Sequence, residues 1–279
     1  MNEIVTAGGI MLGISGTFGL IIALADRYLR VEEDPRLAVL EEKLPGTNCG
    51  ACGEPGCVAF AEKLIAGAKM PGQCTNCGKE TVVEIAAFLG VDAGFQEKRV
   101  ARLHCAGGKS SVRMLADYKG LRSCRAAFVV NGGGRACPWG CLGLADCEVS
   151  CDFDAIHMNA ENLPVVDVEK CTACGDCVDA CPLHLFKIEP VSTRVIVQCS
   201  NPLQGDAARQ MCLVACDACG RCAMDAEPRG AIEMSGGLPI FKTDQPSALT
   251  DNCTFRCPTG AIQWVEGEQF IAPRAQQVQ

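Results

Sequence analysis

Histidine is nearly absent from this chain. Its three copies, His104, His157 and His184, are scattered, and no nucleophile is placed to use any of them as a base, so hydrolytic and acyl-transfer chemistry has no footing. Aromatic residues are scarce too, 5% of the 279, which leaves thin hydrophobic cores in a chain long enough for two or three small domains. No G-x-G-x-x-G opens a helix after a strand. The Gly132-Gly-Gly134 run lacks that frame, so no dinucleotide site is expected. A basic excess is also missing: the formal net charge is −8, which argues against nucleic acid as a partner. Finally, no charged side chain stands between Glu3 and Asp26.

What the chain has instead is cysteine, 22 copies. The run Cys171-x2-Cys174-x2-Cys177-x3-Cys181-Pro182 follows Cys137, Cys141, Cys147 and Cys151. Thiolates at this spacing bind a cubane iron–sulfur cluster through the first three cysteines, and the fourth reaches over to a second cluster. Zinc ribbons use separated cysteine pairs, so the compact run ending in Cys-Pro argues for iron–sulfur. A disulfide framework fits poorly, because the cysteines sit in tight runs and clusters need reduced thiolates. The compartment is therefore reducing, and metal ligation supplies folding free energy that the thin cores lack.

The uncharged stretch from Ile4 to Ala25 would span about 33 Å as a helix, enough for a bilayer core. Gly9 and Gly13 are spaced to let a neighbouring helix approach closely. Ala23-Leu24-Ala25 resembles a signal-peptidase site, but Met1-Asn2-Glu3 lacks the positive charge of a signal peptide, and export would place clusters in an oxidising space. The expectation is an uncleaved anchor in the cytoplasmic membrane. Arg27 and Arg30 follow it and put the rest of the chain on the cytoplasmic side.

Beyond a polar linker, Val31-Glu-Glu-Asp-Pro35, the segment Cys49-x2-Cys52-x4-Cys57-x16-Cys74 offers four thiolates. Three sit in a Gly-rich loop, and a helix from Val58 to Met70 brings the fourth back; structural zinc is the rival occupant. Cys105 and Cys124 have no local cysteine partners and read as buried apolar thiols. Cross-ligation then predicts one cluster on Cys137, Cys141, Cys147 and Cys181, and another on Cys171, Cys174, Cys177 and Cys151. Trp139, inside Cys137-Pro-Trp-Gly-Cys141, should shield a cluster from water.

An internal repeat follows. Asn162-Leu-Pro-Val-Val-Asp167 returns as Gly237-Leu-Pro-Ile-Phe-Lys242, and Ala155-Ile156 as Ala231-Ile232. At that offset, allowing a one-residue gap, Cys171 and Cys174 fall on Ser247 and Thr250, while Cys177 and Cys181 fall on Cys253 and Cys257. Cys151 falls on Ala226 or Glu227. The second unit thus keeps Cys216, Cys219, Cys222 and Cys257 for one cluster, and its other site retains only Cys253 and should be empty. About four clusters result, or about 16 iron atoms per chain. Cys77, Cys105, Cys124, Cys199, Cys212 and Cys253 remain over, with Cys212, four residues before Cys216, a possible further ligand. Four oxidised cubanes would bring the charge to roughly −16.

The expected architecture is α+β: a single transmembrane helix (1–28), a small helical [4Fe-4S] domain (29–90) and a connecting segment (91–134). A ferredoxin-like domain with two clusters (135–190), a degenerate ferredoxin-like domain with one (191–266) and a tail (267–279) complete it.

The succession of an N-terminal span, Val31-Glu-Glu-Asp-Pro-Arg36, Leu44-Pro-Gly-Thr-Asn-Cys-Gly-Ala-Cys52, Gly140-Cys-Leu-Gly-Leu-Ala-Asp-Cys147 and the Cys-Pro ladder resembles the iron–sulfur B subunit of the Rnf complex, as far as about Trp264. The Leu44–Cys74 segment alone is similar to a small cluster domain of corrinoid iron–sulfur proteins. The resemblance implies a membrane assembly that moves electrons between reduced ferredoxin and NAD and couples this to sodium or proton translocation. It implies a subunit that docks ferredoxin and relays electrons, with nicotinamide and flavin chemistry in other subunits. A related membrane reductase that keeps a redox-sensing transcription factor reduced is the alternative, and a non-redox scaffold with structural metals a further one. An acidic ferredoxin would need a local basic patch, which the sequence does not locate.

Overall fold

The computed structural model describes residues 2–29, 34–242 and 248–270. Arg30, most of the expected linker, the Thr243–Ser247 part of the repeat and most of the tail lie outside the described residues.

Helix α1 (Asn2–Leu29) carries the uncharged stretch. Its Ala7–Tyr28 portion, 22 residues of mean hydropathy 1.9, is unburied by the rest of the chain and is long and apolar enough to cross a membrane.

Three helices make the small domain. α2 (Pro35–Lys43) starts on Asp34, whose carboxylate accepts from Arg36 N–H at 2.9 Å, with proline in the first turn, where its missing N–H costs nothing. α3 (Cys57–Ile65) is shorter than the expected 58–70 helix. Gly67, at φ +70°, turns the chain, and Ala68 N–H returns to Lys63 O, a glycine-terminated helix end. α4 (Lys79–Leu89) was not anticipated and stops at Gly90 in the same left-handed conformation. Leu40, Leu44, Phe60, Ala61, Leu64 and Ile85 form the core between them.

The rest is two units built alike from two-stranded antiparallel ribbons and one- to two-turn helices. The first has the outer ribbon β1 (Arg99–Leu103) with β4 (Phe186–Pro190) and the inner ribbon β2 (Ile156–Met158) with β3 (Pro164–Val166). Between them lie α5 (Cys124–Val129), α6 (Asp146–Val149) and α7 (Asp176–Ala180). The second unit pairs β5 (Val195–Val197) with β8 (Ile262–Trp264) and β6 (Ile232–Ser235) with β7 (Leu238–Phe241), around α8 (Gly205–Met211), α9 (Arg221–Asp225) and α10 (Asn252–Phe255). The segment expected only to connect, 91–134, in fact supplies β1 and α5 to the first unit. Nor is the start of the tail free: Gln269 exchanges two hydrogen bonds with the backbone of Leu103, closing the edge of β1.

Strand alternation gives β1 two jobs. Ala101 and Leu103 face inward and belong to the core that packs Cys147 and Cys177, whereas Arg102 is 1% exposed on the other side, donating to Gly267 O. The units meet where β1 and β5 end: Ala106 N–H donates to Gln198 O, and Ser200 Oγ to His104 O.

In the second unit, the position corresponding to the Cys171 run is packed with side chains. Leu249 and Cys253 are buried with Ala226, Ile232 and Ile262, and Cys253 Sγ donates to Thr250 O at 3.3 Å.

Candidate metal centres

Short helices and left-handed turns aim thiols from several elements at common volumes. Among the described residues, five chambers of nearly equal empty volume are lined by four cysteines each. The N-terminal chamber, about 300 Å³, takes Cys49, Cys52 and Cys57 from the loop before α3 and Cys74 from the turn after it. The Cys171 chamber, about 320 Å³, takes Cys171, Cys174, Cys177 and Cys151. The Cys181 chamber, about 330 Å³, takes Cys124, Cys141, Cys147 and Cys181. The Cys257 chamber, about 310 Å³, takes Cys216, Cys219, Cys222 and Cys257. A fifth, the Cys137 chamber, about 320 Å³, takes Cys105, Cys137, Cys199 and Cys212. An identical donor set of four thiols points to one kind of occupant.

The size also bears on which occupant. A single zinc ion draws its sulfurs to about 2.3 Å. Among the described residues, no three Cys, His, Asp or Glu side chains converge as one ion requires. The thiols surround a volume instead, as ligands of a multi-atom cluster do.

Twelve of the expected ligands stand in the expected groups of four, and three of the other four share a chamber. Cys137 does not join Cys141, Cys147 and Cys181; Cys124, at the start of α5, takes that place. The chain turns between Cys137 and Cys141, where Gly140 N–H returns to Cys137 O at 3.3 Å, and Cys137 lines a chamber beside the ends of β1 and β5 instead. Cys105 and Cys124, expected as inert buried thiols, both line chambers, and so do the leftover Cys199 and Cys212. One signal could have found part of this: Cys137-x3-Cys141 repeats as Cys212-x3-Cys216.

Electrostatics agree with cationic occupants. Burial, aided by neighbouring thiolates, pushes Cys137, Cys147 and Cys222 up to about 12 and Cys212 and Cys216 to about 11; Cys105, Cys124, Cys141 and Cys177 rise too. Thiols so placed ionise only against positive charge. Cys74 moves the other way, to about 6, because Cys77 hydrogen-bonds its sulfur. Cys77 and Cys253 are the two cysteines outside these five chambers.

Adjacent chambers share contacts. Thr75, on the N-terminal chamber, donates through Oγ1 to Thr172 O, on the Cys171 chamber, at 2.6 Å. The Cys171 and Cys181 chambers exchange cysteines across α6 and α7, Cys151 lining the first and Cys181 the second, with Cys147 and Cys177 in one core. Cys141 N–H donates to Cys105 Sγ at 3.2 Å, joining the Cys181 and Cys137 chambers. Cys216 N–H donates to Cys199 Sγ at 3.3 Å, joining the Cys137 and Cys257 chambers. At the far end Cys219 is the one exposed cysteine.

Trp139 lines the Cys137 chamber and is itself half-buried. Trp139→Ala should admit water, which favours the more highly charged reduced state of any cluster there and raises its potential. An EPR-monitored redox titration with all midpoints unmoved would refute that role.

Two family models match the chain: one described as "Putative Fe-S cluster" over residues 44–76, and one described as "4Fe-4S binding domain" over residues 163–183. Among curated relatives, the chain is 37% identical to the B subunit of the Na(+)-translocating ferredoxin:NAD(+) oxidoreductase complex of Acetobacterium woodii, over 93% of this chain and 80% of that protein. It is 35% identical to the B subunit of the proton-translocating ferredoxin:NAD(+) oxidoreductase complex of Clostridium ljungdahlii, over 94% and 93%. It is 30% identical to the B subunit of the ion-translocating oxidoreductase complex of Methanosarcina acetivorans, over 94% and 98%.

Proposed function

The chain belongs to the family of B subunits of the ion-translocating ferredoxin:NAD(+) oxidoreductase complexes, the Rnf complexes, and from that membership we propose how its thiols serve electron transfer. It is the iron–sulfur electron-transfer subunit of such an oxidoreductase, working with other subunits of the complex. Its own residues make and break no substrate bond.

Four chambers hold [4Fe-4S] clusters: on Cys49, Cys52, Cys57 and Cys74; on Cys151, Cys171, Cys174 and Cys177; on Cys124, Cys141, Cys147 and Cys181; and on Cys216, Cys219, Cys222 and Cys257. When bound, each takes up and passes on one electron. The protein's part is to order the sites, keep water from them and tune them through charge and N–H donation to sulfur. The observation that carries this reading is the four-thiol chamber, repeated with the same donor set. Ferredoxin is the redox partner, and the anchor α1, with Arg27 in its last turn, keeps the cluster-bearing part on the cytoplasmic side. No observation favours a transcription-factor reductase.

The test is an anaerobic titration of the full-length chain in detergent with reduced ferredoxin, followed by bleaching and EPR. Uptake of about four electrons or more per chain is expected. No uptake by a fully loaded chain would overturn ferredoxin as donor. A colourless protein containing zinc would overturn the clusters themselves.

A further inference from the structure

We propose that Cys105, Cys137, Cys199 and Cys212 hold a fifth [4Fe-4S] cluster between the two ferredoxin-like units, completing a single file of five from the N-terminal domain to Cys219. The proposal rests on the electron-transfer reading above and adds a site that no local cysteine run marks.

The first argument is duplication. Cys105 stands two residues past the end of β1, and Cys199 two residues past the end of β5, the corresponding strand of the second unit. Cys137 lies four residues before Cys141, and Cys212 four residues before Cys216. Each unit therefore contributes the same two thiols, and the contact between units brings the pairs together. The hydrogen bonds to sulfur repeat as well: Cys141 N–H donates to Cys105 Sγ, and Cys216 N–H to Cys199 Sγ. Backbone N–H donation to ligand sulfur is what tunes iron–sulfur sites. The second unit keeps these two thiols and their donor although it has lost the counterparts of Cys151, Cys171 and Cys174.

The second argument is an unpaired buried cation. Arg135 is 8% exposed and donates through Nη1 to Gly107 O at 3.0 Å. Among the described residues, no carboxylate lies within ion-pair distance of it. A buried guanidinium needs an anionic partner. Gly107 lines the chamber, and a cluster carrying about −2 with its thiolates would be that partner.

The third argument is the backbone. A Cβ on Gly107 would stand 3.2 Å from Cys212 Sγ and 3.6 Å from Cys105 Sγ, so a side chain there would press on the Cys212 sulfur at the chamber wall. Without an occupant here, the file would break between the Cys181 and Cys257 chambers, which the two N–H-to-sulfur bonds otherwise join through Cys105 and Cys199.

The experiment counts iron and acid-labile sulfide in the full-length chain, reconstituted anaerobically with ferrous iron and sulfide, with cluster type checked by Mössbauer spectroscopy. About 20 iron atoms per chain are expected, falling to about 16 in Cys212→Ala. Gly107→Ala keeps every thiol yet should lose the same cluster. A wild-type value settled near 16, unchanged in both variants, would overturn the fifth cluster and leave the electron-transfer reading standing. Little iron at any site would sink that reading instead. The wild-type count decides even if a variant fails to fold.

Discussion

Cys124→Ala is expected to strip the Cys181 chamber of its cluster, lowering iron by about four atoms per chain, although nothing near Cys124 in sequence marks it as a ligand. Cys124 opens α5, and Ser123 just before it donates through its hydroxyl to Asp146 at 3.0 Å, while Arg125 N–H donates to the same carboxylate. These contacts pin the start of α5 against α6, which carries Cys147. Three thiols leave one iron without a protein ligand, and alanine offers no oxygen in its place. The functional effect should be larger than the iron loss suggests. The Cys181 chamber lies inside the file, so electrons entering at either end should still bleach the sites on that side of it and no longer reach those beyond it. Stopped-flow reduction by ferredoxin, read by EPR at each cluster, separates these populations. Full iron content in Cys124→Ala, together with loss of the same cluster in Cys137→Ala, would restore the grouping expected from spacing.

That contrast shows what kind of information cysteine spacing holds. Cys49 to Cys57 and Cys216 to Cys222 each lie in one loop running into a short helix, so chain geometry alone keeps their thiols close, and their convergence was legible. The exchange of Cys151 and Cys181 was legible too, because it follows from a two-fold arrangement of two adjacent runs. Cys105, Cys124, Cys199 and Cys212 are different. Their partners arrive through the pairing of β1 with β4 and of β5 with β8, and through the contact between units. Strand register of this kind is set by which faces are buried and leaves no local periodic trace. β1 is itself an example: five residues with arginine at positions 99 and 102 do not read as a strand until the inner face, Ala101 and Leu103, has a cluster core to cover. Helices α2 and α4 escaped for a plainer reason. They are short and their buried faces hold one to three residues each, too few for a helical period to stand out. The repeat was visible, and so was its decay at Cys253. What the repeat hid was the pair of thiols each unit gives to its neighbour.

Arg135→Gln is expected to lower the potentials of two clusters, those of the Cys137 and Cys181 chambers, and to leave the other three in place. The guanidinium acts on Cys105 and Cys212 of one chamber and on Cys141 of the other, stabilising negative charge at each. Reduction adds an electron to an already anionic centre, so removing the cation makes reduction harder and the midpoint more negative. At an effective dielectric constant of about 20 and a separation of roughly 10 Å, one charge is worth about 1.7 kcal/mol, or about 70 mV for a one-electron couple. Glutamine removes the charge and keeps a polar amide at the position. Arg135→Lys retains the charge and should recover most of the shift. A merely structural role would disturb iron content without this rescue, and it would not single out two midpoints among five. Unchanged potentials in a fully loaded Arg135→Gln protein would show that the cation is screened from the clusters. A shift confined to one midpoint would mean that only one of the two chambers beside it holds a cluster. The same titration therefore tests the charge and the place where two units join.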